Sequence, residues 1–354
     1  MKNKKLISGG EQGVVIHYKC PSCGADMVFD SESGMLSCPS CGRKDKIEGF
    51  SKEFITATFS EEDAKEYHCK NCGAVLITDA DTTATTCSFC GAGVVLGDRL
   101  SGALAPAKVI PFAISKEEAM KAFRSWCKRG LLTPKGFMTA DRVKSITGMY
   151  VPFWLYDMNS QVQVNATCTK VRSYTRGDYI YTETKYYDVY RDINLSYIKV
   201  PVDASEKMND KLMDKLEPYQ YDQLKDFNTP YLAGYIAEKY NYTDKELLPR
   251  ITSRIEKYVD TYIRSTITGY SSVRYKNKQI NTKHQHAYYT LLPVWMVCYD
   301  YKQSEHTFAM NGQTGKIVGT PPISFGKVAA WFSGITGTTF IAIKLASWMM
   351  GGGF

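Results

Sequence analysis

The chain has 354 residues, 44% of them hydrophobic, which is long and apolar enough for two or three domains with a buried core. Lysine and arginine exceed aspartate and glutamate by 44 to 36, so the formal charge is +8, which fits an anionic partner, nucleic acid or a membrane face, without choosing between them. Only 5 histidines are present, leaving few groups for acid–base catalysis near neutral pH.

Residues 1–16 read as a loose leader with Gly9, Gly10 and Gly13. Its lysines resemble the start of a secretory signal, but Leu6-Ile7 runs straight into Ser8-Gly9-Gly10 and no apolar stretch follows, so the amino-terminal part is expected to stay in the cytoplasm. Four copies of one short word come next: Cys20-Pro21-Ser22-Cys23-Gly24, Cys38-Pro39-Ser40-Cys41-Gly42, Cys69-Lys70-Asn71-Cys72-Gly73 and Cys87-Ser88-Phe89-Cys90-Gly91. Two cysteines separated by two residues aim both sulfurs at one tetrahedral ion, and the following glycine suits the left-handed residue that closes the turn. In each half 14 residues separate the two pairs, and the halves match at a constant offset of 49, with Gly24-Ala25 on Gly73-Ala74 and Asp30 on Asp79. The pattern is that of a duplicated four-cysteine zinc ribbon: ribbon 1 over 17–49, a polar spacer or short helix over 50–66, and ribbon 2 over 67–98. Two structural zinc ions are expected, on Cys20, Cys23, Cys38 and Cys41 and on Cys69, Cys72, Cys87 and Cys90. Each would contribute about 10–16 kcal/mol to folding a unit too small for a core of its own. A disulfide framework or inert buried thiols are the alternatives. His17 and His68 lie beside ligand cysteines but are read as non-ligands, because each ribbon already has four sulfurs; Cys127, Cys168 and Cys298 are read as small core residues.

A linker over 99–114 holds Gly102, Pro106 and Pro111 and leads into an α+β domain over 115–322 with a mixed or antiparallel sheet. Ser115-Lys116-Glu117-Glu118 is a capping box, and the helix after it carries Ala119, Ala122, Phe123 and Trp126 at helical spacing. Residues 146–200 read as strands. Val151-Pro152-Phe153-Trp154 and Leu291-Leu292-Pro293-Val294-Trp295 share a Pro-x-Trp core and are read as buried partners in one sheet. Helices are expected over 205–216, 218–226 and 243–264, the last with Leu247, Ile251, Ile255, Tyr258 and Tyr262 on one face, and strands over 266–319 with turns at Asn311-Gly312 and Thr314-Gly315.

From Val328 to Ile343 no residue is charged, and residues 328–350 reach the length of a membrane-spanning helix if Lys344 snorkels to the nearby interface. Trp331 and Trp348 sit near its two ends, and Lys316 and Lys327 flank its amino-terminal side only, which would leave the rest of the chain cytoplasmic. A buried helix of the soluble domain is the alternative.

The catalytic signatures along the chain are incomplete. Asn311-Gly312-Gln313-Thr314-Gly315-Lys316-Ile317 falls short of a phosphate loop, with two residues instead of four between the glycines and no hydroxyl after the lysine. His284-Gln285-His286 offers two imidazoles but no third ligand. The tyrosines from Tyr174 to Tyr190, interleaved with Arg176, Lys185 and Arg191, suit either base stacking or cross-strand pairs; Asp178, Glu183, Asp188 and Asp192 offset the charge and favour the pairs.

Taken together with Val109-Ile110-Pro111-Phe112, Leu131-Leu132-Thr133-Pro134-Lys135-Gly136-Phe137, Gly148-Met149-Tyr150-Val151-Pro152-Phe153-Trp154 and Thr307-Phe308-Ala309-Met310-Asn311-Gly312-Gln313-Thr314-Gly315-Lys316, the four cysteine words resemble a family of bacterial membrane proteins with transcription-factor-IIB-type zinc ribbons. Members often carry the inherited label of a primosomal replication-restart helicase, which the missing phosphate loop does not support. The resemblance implies action at the membrane in phage-shock-like stress systems, alongside coiled-coil proteins of the phage-shock-protein-A type. The expected function is a non-enzymatic, zinc-binding, membrane-anchored adaptor that recruits protein partners. Nucleic-acid binding linked to replication or transcription is the alternative, with Arg43, Lys44 and Lys46 as its basic cluster.

Overall fold

The computed structural model describes residues 15–16, 18–47, 65–69, 75–78, 81–87, 92–96, 105–130, 132–134, 137, 145–301 and 304–349. The expected spacer lies outside the described residues except for 65–66, which open a strand.

The two cysteine-bearing segments share part of their strand pairing and differ in the rest: the first forms a sheet of its own, whereas the second divides between a two-stranded sheet and the large one. After β1 (Val15–Ile16), the first consists of β2 (Val28–Asp30), β3 (Met35–Ser37) and β4 (Lys44–Asp45) in one small antiparallel sheet. The second holds β5 (Lys65–His68), β6 (Val75–Thr78), β7 (Thr82–Thr86) and β8 (Gly93–Leu96). The offset of 49 read from the sequence recurs in the pairing register. Lys19 bridges Asp26 as His68 pairs with Val75, and Leu36 and Ser37 face Asp45 and Lys44 as Thr85 and Thr86 face Val94 and Gly93.

The segments do not stand apart from the body. β7 pairs with β13 (Ile236–Glu238), which carries the second segment into an eleven-stranded sheet. The first segment bonds to the loop before β13, where Phe29 N–H donates to the Ala233 carbonyl at 2.9 Å. Met27, Phe29 and Leu36 belong to the same buried cluster as Phe112, Tyr231 and Tyr235. Gly93 and Gly234 let the modules close on each other, since a Cβ on Gly93 would lie 2.9 Å from Gly234 N.

The body is framed by three long strands. β9 (Lys108–Val109) leads to α1 (Lys116–Lys128), whose capping box forms as read, with Ser115 and Glu118 bonding reciprocally and Ala119, Phe123 and Cys127 buried. β10 (Ser145–Arg176) then runs for 32 residues and turns at Gly177, with φ +64°, into β11 (Tyr179–Asp203). β14 (Ser272–Tyr301) pairs with β10 from Ser145↔Cys298 to Thr169↔Ser272 and brings Val151 opposite Leu292, so the two Pro-x-Trp runs are neighbours. Beyond Thr169 only β10 and β11 continue, from Lys170↔Lys185 to Arg176↔Tyr179, as a two-stranded arm.

Between β11 and β14 lie α2 (Asp210–Lys215), β12 (Lys225–Asp226) and α3 (Asp244–Thr266). Helix was expected from 205, but Asn209 caps α2 through its bond from Leu212 N–H. In place of a helix over 218–226 there is one 3-10 turn, Tyr221–Gln223, followed by β12; Gln313 holds the Gln220 N–H at 2.8 Å, and Lys225 pairs with Val109. α3 buries Leu247, Ile251, Ile255, Val259 and Ile263, each four residues after the last, against the long strands. The expected Tyr258 and Tyr262 are exposed instead. A row spaced by four slants across a helix, and it follows the twist of the sheet better than the row the tyrosines would make.

β15 (Ser304–Asn311) and β16 (Ile317–Val318) close the sheet through the turn read at Asn311 to Gly315. There Gly315 N–H donates to the Asn311 carbonyl at 2.9 Å with φ +76°. The chain ends its described part in α4 (Phe325–Met349), 25 residues long, with none of its apolar window buried.

Candidate metal centre

The four sulfurs of Cys20, Cys23, Cys38 and Cys41 lie within 4.8 Å of one another, with Cys20 to Cys41 and Cys23 to Cys38 both at 3.5 Å. Tetrahedral zinc with bonds of about 2.3 Å needs sulfurs about 3.8 Å apart, so the donor set fits that ion without rearrangement. Two matching backbone turns build it. Gly24 N–H donates to the Cys20 carbonyl and Cys20 N–H to the Ala25 carbonyl; Gly42 N–H and Cys38 N–H repeat this with the carbonyls of Cys38 and Arg43, all at 2.8–2.9 Å. Gly24 and Gly42 have φ of +74° and +75°, where a side chain would be strained.

Cys20 and Cys38 are buried against Met27, Phe29 and Leu36, while Cys23 and Cys41 are exposed. Burial opposes ionisation of Cys20, but the N–H groups of Ser22 and Cys23 and the thiols of Cys41 and Cys23 outweigh it and bring its pKa down to about 6. The Cys41 N–H does most to lower Cys38. At Cys41 the N–H of Arg43 pulls down, but competition from the other three sulfurs wins and pushes it up to about 12. Four sulfurs this close cannot all carry charge without a cation between them. With all four positions taken by sulfur, a bound zinc has no open site for water, so the chemistry supplied is structural.

In the second segment Cys69 and Cys87 are buried together with Tyr67, Ala92, Val94 and Leu96. Cys87 N–H donates to the Ala92 carbonyl at 2.8 Å, the same bond that Cys20 makes to Ala25 and Cys38 to Arg43. Cys72 and Cys90 lie outside the described residues, as do His17 and the side chain of His68. Cys127 and Cys168 are buried free thiols, and burial pushes Cys127 up to about 12. Cys298 lies in β14, with its side chain outside the described part. No other cluster of metal-ligating side chains occurs among the described residues. Opposite His284 and His286 the pairing is irregular, since Met158 faces His284 and Asp157 faces His286 with Gln285 passed over. Two features were not read from the sequence: a basic groove beside α2, and the reach of the arm.

A four-cysteine site made by two matching turns on a three-stranded antiparallel sheet defines a zinc-ribbon protein. The family model for TFIIB-type zinc-binding domains matches residues 18–59. Over 341 residues the chain is 70% identical to uncharacterized protein YdjG of Bacillus subtilis (strain 168), covering 96% of this chain and 100% of that relative, and it belongs to the same family. No solved structure matches.

Proposed function

We propose that the protein is a membrane-anchored adaptor whose zinc-stabilised modules and long β arm present contact surfaces to protein partners on the cytoplasmic side. One observation carries this reading: α4 exposes Phe325, Trp331, Phe332, Phe340, Ile341 and Trp348, and none of its apolar window is buried. At about 1.5 Å per residue α4 measures about 37 Å, enough to cross the hydrocarbon layer of about 30 Å with some tilt. Lys344 lies near its far end, where its stem can reach the interface, so it does not bar the span. In water such a surface would aggregate.

A second four-cysteine site is supported by the register repeat and the bond from Cys87 to Ala92. We assign it a second structural zinc on Cys69, Cys72, Cys87 and Cys90. The partner class implied by the family resemblance is a coiled-coil protein of the phage-shock-protein-A type. Carbonate washing of membranes tests the anchor: the full chain should stay with the membrane, and a chain ending at Ser324 should be released. A full-length protein released by carbonate would overturn the reading.

Nucleic-acid binding is the second reading. What favours it is the exposure of Tyr174, Tyr179, Tyr181 and Tyr186 on the arm, beside Arg172, Arg176 and Lys185. Against it, Arg43 is paired with Asp45 and Lys44 with Asp30 at 2.9 and 2.7 Å, so the basic cluster of the first ribbon is largely neutralised. Single-strand binding that weakened with salt and was lost on replacing the arm tyrosines would promote it.

A further inference from the structure

A groove of about 960 Å³ lies where α2, β16 and the starts of β10 and β15 meet. Its floor is apolar, made by Met149, Met208, Leu212, Met296, Ile317 and Val318, and its rim carries Lys207, Lys211, Lys215 and His306. α2 sorts its charges between two sides. Asp210 and Asp214 turn toward Arg250 at 3.1 and 3.0 Å, whereas Lys211 and Lys215, also four residues apart, line the groove. Lys207 is drawn to Glu238 at 3.7 Å; Lys211 and Lys215 form no ion pair among the described residues. Two uncompensated ammonium groups above a hydrocarbon floor match an anion that carries a hydrocarbon tail.

The position of the groove identifies the source of such an anion. Gly319 and Thr320 line it, and Phe325 opens α4 five residues later, a span of at most about 18 Å. The root of α4 is fixed to the body, with Ser324 N–H on the Leu132 carbonyl at 2.8 Å and Lys327 Nζ on the Thr133 carbonyl at 2.6 Å. Lys128 and Arg129, at the end of α1, directly precede that attachment in the chain. The groove and these cations therefore both lie a short length of chain from the point at which α4 would enter a bilayer.

We propose that the groove seats an anionic phospholipid of that bilayer, its phosphate on Lys211 and Lys215 and the start of an acyl chain on Met149, Met208 and Met296. This rests on reading α4 as a membrane span. The test uses the full chain in nanodiscs of phosphatidylcholine, with or without phosphatidylglycerol, and a photoactivatable phosphatidylglycerol whose crosslinks are mapped by peptide. Crosslinks should fall on the peptides holding Met208 to Lys215 and His306 to Thr320. Unlabelled phosphatidylglycerol should compete for them, but phosphatidylcholine and glycerol phosphate should not. Lys211→Gln with Lys215→Gln should weaken apparent affinity by about twenty-five-fold, a factor of about five for each lysine at an anionic surface. A melting transition at the parent temperature reports that the body of that variant is folded. Equal labelling by both lipids, labelling unchanged in the folded variant, or competition by glycerol phosphate would each overturn the proposal. If carbonate washing releases the chain, the membrane reading falls and the proposal with it; if the chain is retained but the groove stays unlabelled, the proposal alone falls.

Discussion

Each cysteine of the first site has a distinct position: Cys20 and Cys38 form its buried wall and Cys23 and Cys41 its exposed one. Replacing an exposed sulfur leaves the surrounding packing intact, so Cys41→Ser isolates the metal's contribution. The variant should bind one zinc fewer per chain by elemental analysis and lose protection of the β2–β3–β4 amides from hydrogen exchange, because metal binding of about 10–16 kcal/mol replaces the core this module lacks. A Cys41→Ser protein with unchanged zinc would remove Cys41 from the ligand set. Glycine matters at a different place, the seam between ribbon and body. Gly93→Ala would set a Cβ 2.9 Å from the backbone N of Gly234, which itself sits at φ +89°. Backbone must shift to relieve that contact, and a loss of about 1–3 kcal/mol is expected in chemical denaturation. The cysteine words and their offset were legible in the sequence because metal ligation fixes residue type and spacing together. The seam was not, since Gly93 and Gly234 are brought together only by the pairing of β7 with β13.

Among the elements, α3 gathers the most charge. Arg250 reaches Asp203, Asp210 and Asp214 at 2.9, 3.1 and 3.0 Å, and Arg254 reaches Asp214 at 3.3 Å and also bonds to Glu217. Asp203 is the fully buried member, with one carboxylate oxygen lacking a hydrogen-bond partner. Burial raises its pKa to about 7, against the pull of Arg250. An unfolded aspartate titrates near 3.9, so the folded chain holds this proton more tightly than the unfolded one. The stability it contributes is therefore fully present below about pH 4 and is lost as pH rises through about 7. Asp203→Asn keeps an oxygen for Arg250 and removes the titration. It should melt at or above the parent temperature at pH 8, and its melting temperature should vary less between pH 5 and 8. A lower melting point at pH 8 would show that the ion pair outweighs desolvation. α1, α3 and α4 could be read from capping, period and length. The region around α2 could not, because long-range partners, Gln313 on Gln220 and Val109 on Lys225, override local preference there.

At the scale of the whole molecule, the sheet separates two ends. α4 is rooted beside β15 and β16, which pair through β14 with the first residues of β10; the arm lies at the last residues of β10. From Met149 to Arg176 the contour is about 90 Å at about 3.3 Å per residue. Residues 146–200 read as strands, but neither the length of β10 nor the point where β14 leaves it was legible, because both depend on residues far away in sequence. The arm contributes little to the core. Tyr174 and Tyr181 stack across it at 5.6 Å, in the cross-strand pairing that the sequence favoured, yet both stay exposed, as do Tyr179, Ile180 and Tyr186. The buried cluster beneath α3 resumes only at Cys168 and Val189. Exposed aromatics on a ribbon with no third strand suit contact with another surface better than internal stability. Shortening the arm separates these roles. Deleting 171–184 and joining Lys170 to Lys185 through an Asn-Gly turn should move the melting temperature by no more than about 2 °C, with zinc content unchanged, because only exposed side chains are removed. If the protein is the proposed adaptor and the arm its contact surface, crosslinking between the full-length protein and the proposed coiled-coil partner in intact membranes should disappear with the arm, while the carbonate resistance proposed for α4 should be unchanged. Persistence of those crosslinks in the shortened chain would shift the contact to the ribbons, and a large drop in melting temperature would make the arm structural.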